Sequence, residues 1–141
     1  MKLDKDSVPS TIQQAVKDLV ISFSEEDKAA IKVAEVRQGK IRFGGVTIVM
    51  PKHTNLGYHF ASGRSVRNNW SLWAKETPLV QDAIKTYKLA HGDDISSLIF
   101  EWAFAIVRGE DFDPHAFAKC CEDYWQAQSG MSALEAGDWK E

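Results

Sequence analysis

Apolar residues recur along this chain with two different periods, and the changes of period divide it into elements. Ile12, Ala15, Val16, Leu19, Val20 and Phe23 fall three and four apart, the spacing of one helix face. Ser10 with Gln13 resembles a capping box, in which each side chain bonds the other's free backbone N–H, so a helix is predicted over about 11–22. Ser24-Glu25-Glu26-Asp27 then sets a hydroxyl cap ahead of carboxylates that the positive end of a helix dipole favours. That second helix carries Ala30, Ile31 and Ala34 inward and ends before Gly39. Here the period drops to two. Ile41-Arg42-Phe43 and Val46 to Met50 flank Gly44-Gly45, a pair suited to the positive φ of a tight hairpin turn. In that register Phe43 faces Val46 and Ile41 faces Ile48, and Pro51 ends the strand. An isolated hairpin is only marginally stable, so this one is expected to cover core; its other reading is an edge offered to a partner strand.

Helical spacing returns beyond the hairpin. His59, Gly63, Val66, Arg67 and Trp70 share a face of a helix predicted over about 56–70. Thr77-Pro78 opens the next, with Leu79, Val80, Ala83, Ile84 and Tyr87 as its apolar residues. His91-Gly92-Asp93-Asp94 reads as a turn that caps a fifth helix over about 94–108, apolar nearly all round and therefore central. Asp113-Pro114 opens a sixth helix, with Phe117, Cys121, Tyr124, Trp125 and Gln128 on one face. The pattern fades after Gly130. The expectation is a mainly α fold: one compact domain over 1–128, about six helices around the helix at about 94–108, one β-hairpin at about 40–50, and a flexible C-terminal tail over 129–141.

A chain of 141 residues can bury roughly two thirds of its unfolded surface, which is enough core without disulfides or metals. Its formal charge of −3 argues against a dedicated nucleic-acid surface. Adjacent Cys120 and Cys121 do not suit a disulfide, and free thiols point to a reducing compartment. The N-terminal sequence lacks the apolar run of a signal peptide, and no window is long and apolar enough for a membrane helix. A cytoplasmic protein with no membrane partner is expected.

Candidate chemistry concentrates between His59 and Trp73 and at Asp93-Asp94. Large apolar rings beside Arg67, Asn68 and Asn69 imply a polar network fixed to an aromatic anchor, because Arg and Asn resist burial unless paired. Asp94, at a helix start, can accept backbone N–H groups and still meet Arg67, so a clamp between two helices is the first reading, with Trp70 and Trp73 closing the core. A floor for an anionic ligand is the second. The expected network is His59, Arg67, Asn68, Asn69, Trp70, Trp73, Asp93 and Asp94. No nucleophile elbow or Ser/His/Asp set is present, and His91, His115, Cys120 and Cys121 lack metal-ligand spacing, so no catalytic residue, metal or cofactor is expected.

His59-Phe60, Gly63, Val66-Arg67-Asn68, Trp70 and Leu72-Trp73, followed by Asp93-Asp94-Ile95-Ser96, carry a pattern of the form HFxxGxx[IV]RNxWxLW … DD[IM]S. With it the chain resembles a family of small bacterial domains of unknown function, over roughly residues 10–28 and 56–126. Relative to the shortest members the hairpin reads as an insertion. The resemblance implies a fold and a set of focal residues, and no activity.

The expected function is a small non-enzymatic protein-binding module of the inhibitor, immunity or anti-defence kind, because tryptophan is an interface-prone residue and no catalytic set is present. Trp73 or Trp139, if exposed, is the candidate anchor. One alternative is a small-ligand-binding protein or enzyme using a pocket of His59, Arg67, Asn68 and Asp94. Another is nucleic-acid binding through Arg42, Arg64, Arg67 and Lys75. The sequence leaves the oligomeric state open.

Overall fold

The computed structural model of the chain describes residues 8–50, 53–54 and 70–138. Six helices and two short antiparallel ladders make up these residues, the mainly α fold that the periodicity predicts. Helix α1, Ile12–Ser22, buries Ile12, Ala15, Val16 and Leu19. Its cap is Thr11 in place of Ser10: the Gln14 N–H donates to Thr11 Oγ1 at 3.1 Å. Either hydroxyl satisfies an orphan N–H, and the local sequence does not separate them by one residue. Helix α2, Glu25–Val33, has the full capping box, with Asp27 N–H donating to Ser24 Oγ and Ser24 N–H donating to Asp27 Oδ2, both at 3.0 Å.

Strand β1, Val36–Arg37, follows; β2, Lys40–Phe43, and β3, Val46–Val49, form the predicted hairpin. Ile41 pairs with Ile48 and Phe43 with Val46. Gly44 and Gly45 both take positive φ, 54° and 87°, which a two-residue turn of this hand requires. Strand β4, His53–Thr54, pairs antiparallel with β1, an addition that two-residue strands gave no period to announce.

Most of the helix predicted over about 56–70 lies outside the described residues; Trp70 to Trp73 form a turn, with Ser71 at φ 54°. Helix α3, Pro78–Asp82, starts with proline in its first turn as expected and then widens into a π-helical turn, Ala83–Tyr87. Lys88, left-handed at φ 59°, ends it. The Asp82 carboxylate reaches back to α1, accepting the Ile12 N–H at 2.8 Å.

Helix α4, Gly92–Arg108, is the centre. Ile95, Leu98, Ile99, Phe100, Ala103, Phe104 and Ala105 are all buried. It begins two residues earlier than predicted because His91 provides the cap, and Gly109 ends it in the left-handed conformation. Helix α5, Pro114–Ser129, buries Phe117, Ala118, Cys121 and Trp125 and ends at left-handed Gly130. The start of α4 meets the far half of α5, through Asp94 and Trp125, while Phe112, just before α5, stacks on Trp102 of α4. The two helices therefore run antiparallel.

Where the pattern predicts a flexible tail, the chain forms helix α6, Ala133–Ala136. Ala133 and Ala136 are fully buried, and Glu122 of α5 accepts the Ala133 N–H at 2.7 Å. A helix of four residues, only two of them buried alanines, carries almost no periodic signal. Packing is nevertheless tight: a Cβ on Gly137 would lie 2.5 Å from Ala90 Cβ. Gly137 has φ −63°, so backbone strain does not enter. Gly137→Ala is therefore expected to cost about 1–3 kcal/mol through overpacking alone, seen as a lower urea midpoint at unchanged slope. A variant as stable as the parent would show that α6 does not dock.

Candidate functional site

The side chains that the fold brings together around the start of α4 are Trp73, His91, Asp94, Cys121 and Trp125. Each is positioned by a local rule. His91 precedes α4 in extended conformation, and its Nδ1 accepts the Asp93 N–H at 3.1 Å. The Asp93 carboxylate stands 3.9 Å from the same nitrogen. Fixed by this bond, the buried imidazole lies between two indoles: edge-on to Trp73 at 5.3 Å and tilted against Trp125 at 5.5 Å.

Asp94 stands one turn into the stack. Trp125 Nε1–H donates to its Oδ2 at 2.9 Å, and the Cys121 thiol lies close to the same carboxylate. Cys121 and Trp125 are four apart on α5, so one helix face supplies both side chains. Burial raises the Asp94 carboxyl above the ordinary carboxylate range; the Trp125 bond and the nearby His91 oppose this, and the Asp93 charge adds to it. Burial likewise pushes the Cys121 thiol well up, and the Asp94 charge pushes it further. Cys121 is accordingly a protonated thiol and not a nucleophile.

Trp73 completes the group from the outside. Its ring lies on Gly92, where a Cβ would come within 2.9 Å of two ring carbons. Only glycine lets the indole settle on the first turn of α4. Even so, 57% of Trp73 remains exposed.

Of the network expected from sequence, His59, Arg67, Asn68 and Asn69 lie outside the described residues. Trp70 is buried in the core as anticipated, with no partner for its Nε1 among the described residues, while Trp73 stays largely in solvent and does not close the core. Asp93 is exposed and Asp94 points inward. His91, Cys121 and Trp125 were not expected in the network. Asp94 and Trp125 are 31 residues apart, and no spacing rule joins them. The one signal was that Cys121 and Trp125 share an α5 face. Among the residues proposed for nucleic acid, Lys75 is paired with Asp138, Arg42 is exposed on the hairpin, and Arg64 and Arg67 lie outside the described residues. Among the described residues, no three or more His, Cys, Asp or Glu side chains gather as a metal site, and no helix is long and apolar enough to cross a membrane.

A family model described as Domain of unknown function (DUF6794) matches residues 8–104. The chain belongs to this family. Its matched segment includes Trp73, His91 and Asp94, whereas Cys121 and Trp125 come from beyond it. No curated protein and no solved structure matches the chain.

The raised Asp94 carboxyl has a consequence for stability. Burial favours the neutral form, so the folded protein keeps this proton to higher pH than the unfolded chain does. The stabilisation is full below the ordinary carboxylate range and is lost as pH rises through the folded value. Asp94→Asn keeps an oxygen for Trp125 and removes the titration. The stability of the wild type relative to this variant should fall in urea melts as pH rises above about 4, the ordinary carboxylate value. Parallel curves above that pH would contradict the assignment.

Proposed function

We propose that the protein is a small non-enzymatic protein-binding module, of the inhibitor, immunity or anti-defence kind, with Trp73 as the anchor of its docking face. The observation that carries this reading is the 57% exposure of an indole that is nevertheless held in place. An aromatic side chain seated on Gly92 and against His91 has little rotamer freedom left to lose when a partner covers it. Rigid tryptophans of this kind are enriched among the residues that dominate binding energy. Asp94 is engaged by the Trp125 N–H, which favours binding over a catalytic pocket of His59, Arg67, Asn68 and Asp94.

Trp73→Ala is expected to weaken capture of the partner by about 2 kcal/mol, roughly thirtyfold. The immobilised wild-type and variant proteins are compared in lysate of the source organism, with bound proteins identified after cross-linking and thermal midpoints measured alongside. If both proteins retain the same set at the same yield, Trp73 is not the anchor.

A further inference from the structure

At the opposite end of α5 from Trp125, an open cleft of about 380 Å³ lies between the start of the helix and the β1–β2 connection. Its apolar wall is Phe112 and Phe117, whose rings are 5.9 Å apart, and Phe112 is braced from behind by stacking on Trp102 at 5.8 Å. Gln38 bounds the other side, its Nε2 donating to the Met50 carbonyl at 3.1 Å. Asp111 and Asp113, both exposed, set two carboxylates on the rim. Asp113 uses only Oδ1 to cap α5, accepting the N–H groups of His115 and Ala116 at 3.0 and 3.1 Å. Its full negative charge stays at the mouth.

Among the described residues that line the cleft there is no lysine or arginine, and the nearest cation along α5, Lys119, is bonded to Asp123 at 3.0 Å. Cys120, half-buried in the wall, is raised by its burial and by the Asp123 charge, so it contributes a neutral thiol. Aromatic faces with carboxylates above them attract a cation that carries an apolar stem: the rings take the stem and the charge, and the carboxylates take the head. An open cleft leaves much of a free small molecule in water, whereas ligand pockets enclose most of theirs. A side chain delivered from a larger surface has the remainder of its surface covered by the protein that carries it.

We infer that the Phe112–Phe117 cleft is a docking site for a lysine or arginine side chain presented by a basic segment of a partner protein, with Asp111 and Asp113 binding its charged head. Its centre lies roughly 15 Å along α5 from Trp125, so it is separate from the Trp73 face and stands or falls independently of it.

Capped tetralysine is the probe, titrated into isotope-labelled full-length protein at about 0.15 M salt so that diffuse attraction is screened. Amide shifts are expected to saturate and to centre on residues 111–120. In Asp111→Asn/Asp113→Asn, where the Asn oxygen preserves the α5 cap, affinity should fall about tenfold or more. Asp111→Asn alone, outside the helix, should weaken binding about threefold if the double variant folds poorly. Tetralysine should also slow alkylation of Cys120 in the wild type and not in the double variant. Unsaturable shifts scattered over the acidic surface would overturn the proposal. So would unchanged affinity in both variants, or butylammonium binding as tightly as the peptide, which marks a site for free amines.

Discussion

A carboxylate drawn out of water has to be given donors, and the position of Asp94 imposes that requirement on the whole helical assembly. Helix α4 is apolar on nearly every side, so its neighbours must enclose it, and the inner side of its first turn is covered with the rest. Asp94 enters with that turn. The donor comes from α5: the Trp125 N–H, with the Cys121 thiol beside the same carboxylate one helical turn away. Accepting it fixes both the rotation of α5 about its axis and its position along α4. A shift of one residue would turn Trp125 through about 100° and leave the carboxylate without its strongest bond. Hydrophobic contact between the two helices is tolerant of small slides; this bond is not.

The same turn also governs what lies outside it. With His91 as cap and Gly92 as the first helical residue, the surface above α4 has no Cβ to lift the Trp73 ring away. Trp73, His91 and Trp125 form a continuous aromatic series from solvent to the buried carboxylate, and Tyr124 extends it edge-on at 5.5 Å. Each ring is held by the next. Exposure and rigidity, usually opposed in a large apolar side chain, coexist at Trp73 for this reason.

How much of this the chain declares in advance depends on the range of the interaction. The hairpin register was readable from two glycines and a period of two, because both act between adjacent residues. The Ser24 cap, the Pro78 and Pro114 starts and the Gly109 and Gly130 stops are equally local. That α4 is central follows from its composition alone. Asp94 was visible as a residue needing a partner, since a carboxylate flanked by Ile95, Leu98 and Ile99 cannot be left bare. The partner was not visible: Trp125 is 31 residues away, and its N–H is indistinguishable in sequence from that of any other indole. The π-helical turn at Ala83–Tyr87 and the burial of Ala133 and Ala136 depend on tertiary fit, which small side chains do not advertise.

Residues with the strongest apparent chemistry, Asp94 and Cys121, are therefore turned inward beside Trp125, while those open to a partner are aromatic or simply acidic. That division follows from dielectric. Inside, a charge is tolerated only when its bonds are complete, and a completed bond is unavailable for anything else. At the surface an indole or a carboxylate keeps its unused capacity, because water satisfies it at little cost until a partner displaces that water. Trp73 at one end of the molecule and the Asp111–Asp113 rim at the other retain such capacity, and Gly92 and the α5 cap hold each in a fixed geometry. The proposed binding role rests on such surfaces, which offer shape and charge and need no reactive group.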